Sequence, residues 1–76
     1  MTLVDLKKGV LAEVIAINGG NKMLATKLRE VGFAEGDEVE VVHLGPLAGK
    51  PICVRLNQTL IAVRADEAAM IEVQIR

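Results

Sequence analysis

A change of period constrains this chain more than any other feature. Between Asn21 and Gly32, "NKMLATKLREVG" sets Leu24, Leu28 and Val31 at spacings of four and three, which is one helical stripe. Asn21 reads as the N-cap, and Gly32 sits where a left-handed residue would end the helix. Lys27 and Arg29 in the last turn suit its negative end. Elsewhere the apolar residues alternate or run in short aliphatic stretches. "GVLAEVIAI" (Gly9 to Ile17) reads as a strand closed by a turn at Asn18-Gly19-Gly20. After Gly36, Val39 and Val41 share one face and Glu38 and Glu40 the other. "ICVRLNQTLIAVR" makes two short strands around Asn57-Gln58, with Ile52, Val54 and Leu56 opposed to Cys53, Arg55 and Asn57. "RADEAAM" offers one helical turn starting near Asp66, where Arg64 and Asp66 can pair. "IEVQI" then puts Ile71, Val73 and Ile75 on one face.

Five short strands and one helix in 76 residues leave no room for a two-sheet sandwich. A strongly bent barrel, which wraps a small sheet on itself and hides its edges, fits the pattern better. The expected fold is mainly β: a single domain over residues 1–76, an SH3-like barrel of about five strands with one inserted helix and a short C-terminal helical turn. Leu24, Leu28 and Val31 are expected in the core, with Phe33 capping it and Met23 and Met70 filling gaps.

Missing residues exclude several functions. Phe33 is the only aromatic residue, so the chain cannot build the ring-lined groove that grips proline-rich peptides or a platform for stacking bases. A net charge of -1 supplies no basic patch for nucleic acid. No apolar run exceeds four residues, too short to span a bilayer. "MTLVDLKKG" has no signal-peptide h-region, and the single cysteine, Cys53, cannot form an internal disulfide. Both point to the cytoplasm. Gly19-Gly20 lacks the residues that follow in a phosphate-binding loop. Cys53 and His43 are the only thiol and imidazole, and ordinary strand packing accounts for them, so no enzyme is expected. They are also the only weak metal candidates. Structural zinc takes four ligands, so Glu40 or a second molecule would have to contribute. No cofactor is required on this reading, and ferrous iron or zinc would be held weakly at most.

The segment "GPLAGKP" bears most directly on function. Pro46 and Pro51 restrict the loop before any partner arrives, and Gly45 and Gly49 let it turn sharply. Leu47 at the tip is either an exposed apolar knob flanked by Lys50 or a lid folded back over the barrel mouth. The run Lys22, Lys27, Arg29 followed by Glu35, Asp37, Glu38 and Glu40 is either two solvated faces or a charge pattern that guides docking. The candidate partner-binding residues are Gly45, Pro46, Leu47, Lys50 and Pro51, joined by Lys22 and Arg29 on the exposed side of the helix.

Four stretches, "DLKKG", "KLREVGFAEGDEVEVV", "GPLAGKPICVRL" and "IAVRADEAAMIEV", together resemble the FeoA family of ferrous iron transport proteins. The likeness covers nearly the whole chain in order. Relatives often carry glycine at the last hairpin, where this chain has Asn57-Gln58. Asn tolerates the left-handed conformation, so the turn should survive. The resemblance implies an SH3-like barrel without a catalytic role. It would be an accessory or regulatory protein acting in the cytoplasm beside FeoB, the membrane transporter of ferrous iron, by contact with its cytosolic region. An alternative is a metal-sensing domain like the C-terminal barrels of iron-dependent repressors, although those follow a DNA-binding domain and this chain opens directly on barrel sequence. A homo-oligomer formed by strand addition at an open edge is a second alternative.

Overall fold

The structure is a computed structural model that describes residues 1–18 and 20–76. Its elements are β1 (Leu11–Ile17), α1 (Lys22–Val31), β2 (Glu38–Gly45), β3 (Gly49–Leu56), β4 (Thr59–Val63), α2 (Ala65–Ala68) and β5 (Ile71–Ile75). The strands form one antiparallel sheet in the order β4-β3-β2-β1-β5. This is an SH3-like fold, but β4 and β5 do not pair, so the expected closed barrel is an open, curled sheet. The N-terminal segment covers the β5 edge instead. Val73 donates to the Met1 carbonyl at 2.9 Å and Leu3 to the Ile71 carbonyl at 3.0 Å.

Alternation places the core. Val39 and Val41 from β2, Ile52, Val54 and Leu56 from β3, Val63 from β4, and Ile71 and Val73 from β5 all point inward and are buried. Leu28 and Phe33 close the open side of this layer, with Leu24 partly buried against it. The Asn21 side chain accepts from the Leu24 N–H at 3.1 Å, and Gly32 ends the helix at φ 130°, donating back to Leu28 and Arg29. The turn at Asn57 has φ 56°, the left-handed value that Asn accepts there. Gly19, in the turn expected after β1, lies outside the described residues.

Some expectations fail. Val31 is 44% exposed. The buried arc of α1 runs through Leu24, Ala25 and Leu28, and Val31 lies about 60° round the helix from Leu28, at the margin of that arc. Ile75 is half exposed, and Met23 stands in solvent rather than filling a gap. The N-terminal Leu3 and Leu6, which no periodicity marks, are core residues. The loop is also tighter than its prolines suggest. Strand pairing runs to Gly45 and resumes at Gly49, so Lys50 and Pro51 belong to β3 and only Pro46–Leu47–Ala48 turn.

Candidate functional site

The β2–β3 hairpin carries the candidate residues at one end. Gly45 pairs with Gly49, and beyond them Leu47 and Lys50 exchange backbone hydrogen bonds at 3.3 and 3.1 Å. Gly45 is required by close approach. A Cβ there would lie 2.6 Å from the Lys50 carbonyl carbon and 2.8 Å from the Pro51 nitrogen. Gly49 takes φ 83°, where a side chain would be strained, and Ala48 takes φ 56° despite its Cβ. This tight frame holds Leu47 outward at 76% exposure, with half-exposed Leu44 nearby. Leu47 therefore does not fold back over the sheet. Lys50 is exposed and makes no ion pair among the described residues.

Lys22 and Arg29 are exposed on α1. A Cβ on Gly32, the residue that ends α1, would touch Leu56 at 3.7 Å. Leu56 lies at the root of β3, opposite the turn, so Arg29 sits near the far end of the ribbon from Leu47. No hydrogen bond links α1 to the tip among the described residues. Arg29 is also committed elsewhere. It binds Glu35 at 3.0 Å, and this hydrogen bond, ahead of the Glu35 backbone N–H and the charge of Arg29, holds the Glu35 carboxyl below its usual value. Arg29 and the tip therefore do not form the single surface expected.

His43 and Cys53 are cross-strand partners on the outer face, His43 exposed and Cys53 half-buried. Glu40, the third ligand considered for them, instead accepts from Arg55 at 3.1 Å. No group of three or more His, Cys, Asp or Glu side chains able to hold a metal ion is present among the described residues. Two donors fall short of the four that a resident zinc takes.

Sequence reasoning missed one polar tie. Glu67 of α2, with its side chain 7% exposed, accepts from Lys27 of α1 at 2.8 Å and from the Arg64 N–H at 2.9 Å. The Lys27 hydrogen bond first, then the Arg64 N–H, depress its pKa against the opposing effect of burial. The expected Arg64–Asp66 ion pair does not form among the described residues; the Asp66 carboxylate accepts from the Glu67 N–H at 3.0 Å. Glutamate one residue after Asp66 in "RADEAA" was the only available signal.

Comparison with known proteins agrees with this architecture. The FeoA domain family model matches residues 1–75. The putative Fe(2+) transport protein A of Campylobacter jejuni is 33% identical over 75 residues, covering 99% of both chains. The crystal structure of Stenotrophomonas maltophilia FeoA complexed with zinc, a prokaryotic SH3 domain protein, superposes with a TM-score of 0.84 at 37% identity, over 97% of this chain and 89% of that one. A Fe(2+) transport protein A/Fe(2+) transporter FeoB fusion protein of Porphyromonas gingivalis is 29% identical over 75 residues. That match takes in 99% of this chain but only 9% of the fusion.

Proposed function

The chain belongs to the FeoA domain family, and we propose that it serves ferrous iron uptake by docking its β2–β3 tip on the cytosolic region of a FeoB-type transporter. The fusion of a homologous segment to FeoB in Porphyromonas gingivalis carries this reading, since one polypeptide keeps the two parts together. The tip supplies the contact chemistry. Leu47 is an exposed apolar knob on a backbone already fixed by Gly45 and the Leu47–Lys50 bonds, so little ordering cost falls on binding. Lys50 adds at its side a cation that is unpaired among the described residues, suited to an acidic rim on the transporter. On this reading the chain works in the cytosol, carries out no catalytic step and holds no resident metal, while ferrous iron is the cargo of its partner.

Titration of the purified transporter cytosolic region with this chain tests the proposal. Leu47→Asp should weaken binding by about tenfold or more, since it buries a charge in place of an apolar anchor. Lys50→Glu should weaken it less and remove much of its salt dependence. Both variants should keep the parent's circular dichroism and melting temperature. Unchanged affinity in both would remove the tip from the account.

A further inference from the structure

The two outer edges of the sheet differ. Residues Met1 to Leu3 add to β5 and satisfy its outward groups, with a further bridge from Thr2 to Glu72. Beyond β4 no strand is paired among the described residues. Backbone directions show what that edge offers. Asn57 donates to the Glu38 carbonyl at 2.9 Å, so odd-numbered positions of β3 bond toward β2, while Ile52, Val54 and Leu56 bond toward β4. Their partners Val63, Ile61 and Thr59 face back into the sheet. The N–H and C=O groups left pointing outward belong to Leu60 and Ala62.

This edge lacks the usual protections. Thr59–Val63 holds no charge, no proline and no bulge. Its outer-face side chains, Leu60 at 60% exposure and exposed Ala62, are apolar.

We infer that β4 is the seat of a symmetric contact between two copies of this chain, strand against strand, antiparallel and centred on Ile61. A two-fold axis through Ile61 sets Leu60 of each copy opposite Ala62 of the other, so every outward N–H meets an outward C=O. Ile61 faces its own counterpart on the inner side, where non-hydrogen-bonded pairs bring side chains closest. Arg64, the first charge after the strand, falls opposite the neutral Gln58 of the second copy. The nearest outer-face charge, Arg55, is already neutralised by Glu40. No like charges meet in this register, which is why a second copy suits the edge. So short a strand pair lies at the small end of interfaces, and the dimer should dissociate at about 100 µM.

Amide hydrogen exchange of the unmodified chain, followed by NMR at about 50 µM and about 1 mM, reads the contact directly. The Leu60 and Ala62 amides should exchange roughly threefold more slowly at the higher concentration, while Ile61 and Val63, already bonded to β3, should not change. Sedimentation equilibrium should show dimer over the same range. Ala62→Pro, which removes an outward N–H with no internal partner, and Leu60→Lys, which brings like charges across the axis, should each restore the monomer. If Ala62→Pro does not fold, Leu60→Lys decides alone. Exchange that is independent of concentration, or a dimer that survives Leu60→Lys, would overturn the inference. So would protection at Leu60 and Ala62 that appears only when another protein is added.

Discussion

The two ends of the β2–β3 ribbon share strands and pairing but spend their residues differently. At the root, Val39 and Leu56 pair across the strands and are buried, with Gly32 at the end of α1 packed near Leu56 and Phe33 just beyond. At the tip, Gly45 and Gly49 pair half-buried, and Leu47 stands in water. Burial at the root returns free energy to folding. An exposed leucine at the tip returns none, although it is held by a glycine without room for a Cβ and an alanine at positive φ. The root makes the fold and the tip spends some of its stability, as expected where a surface is kept for a partner.

Three substitutions sharpen this contrast. The largest effect belongs near the root. Phe33→Ala should cost about 3–5 kcal/mol in urea unfolding, because the ring is fully enclosed. Transporter affinity per folded molecule should stay unchanged. A smaller cost, about 1–3 kcal/mol, should follow Gly45→Ala, which drives a methyl group into the Lys50–Pro51 backbone. Unlike Phe33→Ala, it should also weaken binding by displacing Leu47, and a variant that lost stability alone would break the contrast.

The smallest effect concerns the Glu67 tie, which fastens α1 to α2. Its folded pKa lies below the ordinary 4.5, chiefly through the Lys27 hydrogen bond. The stability it adds is therefore present above pH 4.5 and disappears as the pH falls through the depressed folded value. Glu67→Gln should cost about 1 kcal/mol at neutral pH. The gap between it and the parent should close below pH 4.5, as followed by melting temperature, while a constant gap would show that the carboxylate charge is not what matters.

What could be read from the sequence follows the range of the interactions. Alternation in "VEVVHL" and "ICVRL" gave the buried faces of β2 and β3, because a strand residue's side is set by its immediate neighbours. Asn21 and Gly32 marked the helix ends for the same local reason. Features that depend on distant partners were not legible. Leu3 is buried because it reaches Ile71, and Lys27 matters because Glu67 comes to it from forty residues away. Val31 misled because a spacing of three fixes a stripe but not how wide an arc the sheet covers. Barrel closure failed similarly, since local pattern counts strands without saying whether the two edge strands, here β4 and β5, meet. At the site, "GPLAGKP" placed Leu47 at a tip but left open whether it faces solvent or folds back. Both its exposure and the separation of the tip from Arg29 needed the pairing of β2 with β3.

The most direct test maps contact onto the ribbon. Isotope-labelled chain titrated with the unlabelled cytosolic region of the transporter should shift or broaden the backbone amides of Leu47, Ala48 and Lys50, leaving those of Val39, Arg55 and Leu56 in place. Perturbation confined to the root and α1, with a silent tip, would contradict the assignment of the docking surface.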